Sequence, residues 1–351
     1  LEKYSITEME RFLRQLTASS NLLSVIGLCK NAGKTTILNA VLSSYLLEQS
    51  PPLWGLMSIG LDGETQDRAT LGEKPEIFVA EGTIFVTPAH LWNQSDTSKE
   101  ILDVLQSGGS LGALLLVRAK SDGSIQLSGP STRTGIRVGI QKLETFGANK
   151  IIIDGSIDRR VMSMEDTSEV LLCTGNVCYV DHRQALQETL YIYSLYTQLP
   201  ERKILVSQDA FLSFLHEGNE QVYYTADQIR RDGVDWPSEK SFPWDSIFYR
   251  GAVHSRFLRQ IGTLKTKRSA MCLLVPDGSR ILAPREHFDS FINEGNSIFV
   301  QKRLSIKGIF VNHQMQISQK NDDYQLMQEI ANHVTCPVLD WKERLICTNP
   351  I

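Results

Sequence analysis

No stretch of the 351-residue chain stays apolar for the length of a bilayer crossing, so no helical membrane span is expected. The start, LEKYSITEMERFLRQL, is amphipathic and does not read as a secretory leader, which makes a cytoplasmic location the expectation. Positive charge is not in excess: 36 Lys and Arg stand against 40 Asp and Glu, for a formal net charge of −4 with the signs interspersed. Neither nucleic acid nor an acidic membrane is an expected partner. Cysteine is scarce. Cys29, Cys173, Cys178, Cys272, Cys336 and Cys347 include no Cys-x-x-Cys pair, which removes the usual zinc and thioredoxin spacings. Most sit in or beside apolar runs, where cysteine packs as a small hydrophobe; Cys29 is either such a filler or an oxidisable thiol. The seven histidines show no metal-ligand spacing, and Gly-x-Ser-x-Gly is absent, so triad-hydrolase and metalloenzyme readings have no footing. No internal repeat or low-complexity tract occurs.

What is present is 42% hydrophobic, enough for a large core in one α/β domain with insertions or in two domains. Residues 22–42, LLSVIGLCKNAGKTTILNAVL, run from an apolar strand pattern through a glycine-bearing turn into an apolar-periodic helix. A strand that stops in Gly-Lys-Thr and restarts as a helix offers unpaired N–H groups and a positive helix end to a phosphate. Asn31, Ala32, Gly33, Lys34, Thr35 and Thr36 are therefore the expected phosphate-binding segment. Gly33 permits close backbone approach, Lys34 brings an ammonium to the terminal phosphates, and the Thr35 hydroxyl is placed for Mg²⁺. The loop is one residue longer than the usual form: position 28 is leucine, and five residues separate Gly27 from Gly33.

Two carboxylates belong with this loop. Asp62 follows the strand pattern LWGLMSIG (53–60), where α/β proteins place ligands, as a magnesium or water-orienting group, or simply as the first residue of an Asp-Gly turn. Asp154 ends Lys150-Ile151-Ile152-Ile153, a β-branched run suited to a central parallel strand, and stands where a carboxylate holds Mg²⁺. Asp158, Arg159 and Arg160 follow, more in keeping with a solvated face. Ser128-Gly129-Pro130-Ser131 opens a helix through Phe146, a second place where an anion could meet N–H groups.

Elsewhere the patterns predict a first helix over 7–17 capped by Thr7 and Glu10, and a helix around 97–106. An antiparallel hairpin is expected about Ser121-Asp122-Gly123, a long helix over 182–198 whose tyrosines pack, and a strand at 204–208. MCLLVPDG and RILAP read as a strand pair about a Pro-Asp-Gly turn. The fold class is α/β with a mostly parallel sheet, a β-hairpin insert and a smaller inserted or second subdomain. Its divisions are expected at 1–208 for the nucleotide-binding core, 209–270 for an irregular insertion, and 271–351 for an α/β part completing the core.

The long loop, the carboxylate after the second strand, the strand ending in Asp154 and the closing IFVN-helix-PVLDW unit resemble the dethiobiotin synthetase and MinD-like branch of P-loop NTPases. In that branch an asparagine after a late strand reads the base, and the matching residue is Asn312 in GIFVNHQ. Lys30 lies four residues before Lys34 where the MinD-like signature lysine lies five before, so that role is not transferred. More narrowly, GLCKNAGKTT, SIGLDGE, VAEGTIFVTP, LSGPS and IIIDGSIDRR, in this order across about 25–160, resemble the KamB-type small subunits of lysine 5,6-aminomutase reactivases. The resemblance implies ATP and Mg²⁺ as cofactors and Lys34, Asp62 and Asp154 as catalytic residues. It also implies Thr35, Asp62 and Asp154 at the metal, a MutS-like partner subunit, and a cobalamin-dependent aminomutase as client. A homodimer is a further expectation. The competing expectations are an ATP-dependent small-molecule ligase of dethiobiotin synthetase type and a nucleotide-switch GTPase, the latter weakened by the absence of Asn-Lys-x-Asp.

Overall fold

The computed structural model describes residues 2–59, 76–105, 112–156, 169–176, 179, 181–236, 244–264, 270–312 and 320–348. The chain divides into two compact units, one of residues 1–190 with 306–351 and the other of 191–305. In chain order the first unit holds β1 (Glu2–Lys3), α1 (Ile6–Thr17), β2 (Leu22–Gly27), α2 (Lys34–Ser44), β3 (Trp54–Ser58), β4 (Ile77–Val79) and β5 (Ile84–Pro88). It continues through β6 (Lys99–Leu105), β7 (Leu114–Ala119), β8 (Gly123–Ile125), α3 (Arg133–Thr145), β9 (Lys150–Ser156) and β10 (Glu169–Thr174). Helix α4 (His182–Thr197) leads into the second unit, with β11 (Leu212–His216), β12 (Asn219–Tyr224), α5 (Ala226–Asp232), β13 (Ser246–Tyr249), α6 (Ser255–Thr263), β14 (Cys272–Val275), α7 (Arg285–Asn293) and β15 (Ser297–Val300). The first unit is completed by β16 (Ser305–Val311), α8 (Lys320–Ala331), β17 (Val338–Asp340) and β18 (Leu345–Cys347). No helix among the described residues is long and apolar enough to cross a membrane.

The first unit is built on an eleven-stranded sheet in the order β1-β18-β17-β16-β10-β2-β9-β3-β5-β7-β6. Strands β10, β2, β9, β3 and β5 are parallel, while β7 and β6 add antiparallel strands at one edge. The isoleucine run of β9 is explained by burial on both faces. Ile152 joins the core beneath α1, α2 and the small β4–β8 sheet, and Ile151 and Ile153 join the core beneath α3.

Several local expectations are corrected. The first helix is capped by Ser5 and Glu8, whose side chains bond each other's backbone N–H, two residues earlier than the Thr7–Glu10 pairing. Residues 99–105 form edge strand β6. Leu102 and Leu105, three apart as on a helix, both reach the core because a bulge between Ile101 and Asp103 resets the alternation. The Asp-Gly turn at 122–123 makes no hairpin with β7: β8 leaves the large sheet and pairs with β4. Residues 204–208 form no strand, Leu205 being 92% exposed. After β14 the chain takes a short 3₁₀ turn, Gly278–Arg280, and Ile281 makes only an isolated bridge to Val253.

The second unit carries a five-stranded sheet, β12-β11-β13-β14-β15, in which β13, β14 and β15 are parallel and connected through α6 and α7. It covers 191–305, so β14 and β15 belong here and the return to the first sheet begins at β16, not at residue 271. The tyrosines Tyr191, Tyr193 and Tyr196 of α4 are buried, as packing residues should be.

Candidate functional site

Strand β2 is apolar and buried between β10 and β9, and the chain leaves it at Gly27 to re-enter helix at Lys34. Between them the backbone folds over on itself. Asn31 and Gly33 have φ of 64° and 90°, with Ala32 between them at negative φ. Such alternation of hand turns successive N–H groups towards one side and forms an anion-binding concavity. Gly33 caps α2 without any side-chain hydrogen bond, and none of the backbone N–H groups from Ala32 to Thr36 donates to another described residue. A helix normally satisfies its first N–H groups through a cap or water, and here that run is left facing outward from a positive helix end.

The Lys34 side chain lies across Gly27. A Cβ on Gly27 would stand 2.8 Å from Lys34 Cγ and 2.9 Å from Cδ, so this strand end must be glycine for the lysine to keep its path. Lys34 is half-buried, and its ammonium neither donates a hydrogen bond nor pairs with a carboxylate among the described residues. Asp154 stands opposite Val25 on one side and Ser58 on the other, on the face of the sheet that α2 covers. Cys173, opposite Gly27, ties these groups together: burial pushes its thiol up to about 12, with Lys34 acting to lower it and Asp154 to raise it. The structure thus brings Lys34 and Asp154 to the carboxyl ends of adjacent parallel strands, where α/β sheets bind ligands.

Thr35 and Thr36 are half-buried in the first turn of α2. Asn312, at the end of β16, is close to the turn but engaged with it. Its Nδ2 donates to the Asn31 carbonyl at 2.8 Å, its backbone N–H donates to Thr174 O at 2.8 Å, and a Cβ on Gly33 would stand 3.1 Å from its own Cβ. It is a strut beneath the loop. Asp62, together with Asp158, Arg159 and Arg160, lies outside the described residues. The Ser128–Ser131 segment is a structural wedge: Ser58 N–H donates to Ser128 O and Ser128 N–H to Val86 O, each at 3.1 Å, which fills the split between β3 and β5. Helix α3 starts only at Arg133, capped by Thr132, whose hydroxyl accepts from Gly135 N–H. Among the described residues no group of three or more His, Cys, Asp and Glu is placed to hold a metal ion.

Trp341 went unnoticed in the residue patterns. It follows β17, and with Thr36 it lines both a cleft of about 10 Å³ against Asn312 and Asp340 and a cavity of about 370 Å³ beside α2. Only its place directly after PVLD could have signalled it. No family model matches the chain, and neither a curated protein nor a solved structure matches it.

Proposed function

We propose that this chain binds and hydrolyses a nucleoside triphosphate, ATP with Mg²⁺, at the turn between β2 and α2. The observation that carries the reading is the uninterrupted run of N–H groups from Ala32 to Thr36 at the start of α2, beside a half-buried Lys34 that has no counter-ion among the described residues. An oxyanion supplies both deficits at once. The residues fit magnesium in its usual phosphate-bound form, which takes one or two protein oxygens and fills its remaining positions with phosphate and water. Thr35 and Asp154 would hold it, and its charge would offset that building on the transferring phosphoryl group. Lys34 binds and orients the terminal phosphates.

On the resemblance, the larger task is reactivation of a cobalamin-dependent aminomutase together with a MutS-like partner subunit, with hydrolysis resetting a conformational change on the client. Hydrolysis by the chain alone should then be slow and should rise on addition of partner, since groups supplied in trans contribute about 10³–10⁵-fold in other phosphate-loop systems. The test is ATP turnover by the chain alone, with a panel of small carboxylates and amines, and with a MutS-like subunit plus an aminomutase. Strong stimulation by a metabolite and none by protein would defeat the reactivation reading in favour of a small-molecule ligase.

A further inference from the structure

Resting on that reading, we propose that the nucleoside end of the bound nucleotide lies in the cavity beside α2, against Trp341, and not on Asn312. With the phosphates on the N–H groups of Ala32 to Thr36, ribose and base leave the loop past Thr36, which together with Trp341 lines both openings. Among the described residues the cleft on the Asn312 side measures about 10 Å³, the room of a single water. Two polar groups there are already engaged, Asn312 Nδ2 donating to Asn31 O and Asp340 Oδ1 accepting from Glu343 N–H, both at 2.8 Å.

The other side opens into about 370 Å³, a volume typical of small-molecule sites. Its walls include Thr36, Asn39, Ala40, Trp54, Phe78 and Trp341, and among the described residues no ionisable side chain lines it. Neutral aromatic walls suit a heterocyclic base, which stacks on indole and phenyl faces. Phe78 is 49% exposed, an apolar surface that a ligand would cover. The cavity is pre-formed because Asn39 pins β4 to α2, donating from Nδ2 to Glu76 O at 2.9 Å and accepting the Phe78 N–H at 3.0 Å.

Calorimetric titration of the full chain with MgATP and with inorganic tripolyphosphate separates this inference from the reading beneath it. Tripolyphosphate carries the anion without a nucleoside. Trp341→Ala and Phe78→Ala should each weaken ATP about 5–150-fold, the range expected for loss of one stacking partner, and leave tripolyphosphate unchanged. Trp341→Phe should retain most of the ATP affinity, and Asn312→Ala should weaken both ligands alike by loosening the loop. Because Trp341 also borders the Asn312 cleft, Phe78→Ala decides between the two sides: wild-type ATP affinity in that variant would overturn the proposal while leaving the phosphate site standing. Failure of the wild-type chain to bind either ligand would defeat the phosphate site itself, and the proposal with it.

Discussion

Replacing Gly27 by alanine perturbs the candidate site without touching a ligand. The new methyl would meet Lys34 Cγ at 2.8 Å, Lys34 Cδ at 2.9 Å and Ala32 Cβ at 3.3 Å. Gly27 is not among the positive-φ residues, so the backbone accepts alanine, and the nearest obstacle is a flexible side chain that swings aside. Fold stability should therefore change by less than about 1 kcal/mol, since alanine in a strand regains part of what a contact loses. The ammonium, however, is carried off its path. A hydrogen bond to a charged group is worth about 1.5–3 kcal/mol, so losing its alignment with a phosphate weakens binding by about 10–150-fold. Titration with MgATP and tripolyphosphate, run on wild type, Gly27→Ala, Lys34→Ala and the double variant, closes a cycle. Because alanine at 27 acts mainly through Lys34, with only a lesser push on Ala32 Cβ, most of its penalty should vanish once Lys34 is gone. An undiminished penalty in the Lys34→Ala background, or wild-type binding by Gly27→Ala, would refute the placement of the lysine.

Further outcomes follow from the same geometry. Asp154→Asn should leave the melting temperature near wild type and blunt the Mg²⁺ dependence of turnover; an unchanged Mg²⁺ response removes Asp154 from the metal. Lys150 Nζ donates to Thr17 O, Ala18 O and Ser20 O at 2.9, 2.8 and 2.8 Å, capping the end of α1, so Lys150→Met should cost about 2–3 kcal/mol in urea unfolding. Gly129→Ala would place a methyl 1.7 Å from Ser58 O, a collision of backbone with backbone, and should destabilise by about 3 kcal/mol or more. Burial pushes the Glu169 carboxyl up, but the neighbouring Ser20 hydroxyl and the Lys307 ammonium, whose Nζ lies 2.9 Å from Oε1, outweigh it and hold the group below its ordinary 4.5. The folded value being the lower one, this contribution is complete above pH 4.5 and is lost as pH falls through the folded value. Glu169→Gln should flatten the acid limb of the stability profile, and an unaltered limb would show that the pair with Lys307 contributes nothing there.

Elements whose periodicity matches their burial were legible in the residues. The isoleucines of β9 read as a strand covered on both faces because that is what covers them, and the Gly-Lys-Thr turn read as a strand-to-helix junction because glycine marks where the backbone must change hand. Asp154 was legible by the same logic, as the carboxylate at the end of a buried strand. Spacing could not settle β6, where Ile101, Leu102, Val104 and Leu105 suit a helix, and pairing with β7 through a bulge decides for a strand. Nor could it assign β8 to β4, since a strong turn signal says that the chain bends and not which strand it meets next.

The candidate site divides along the same line. Local pattern alone placed the turn, its lysine and its threonines at the start of a helix, because the positions of adjacent residues are set by covalent spacing. Asn312 and Trp341 lie far along the chain, and their roles depend on which strands stand beside β2. Only the tertiary structure made Asn312 a strut for Asn31 and gave Trp341 a cavity to face, because contacts between distant segments follow from sheet order, which no local pattern encodes.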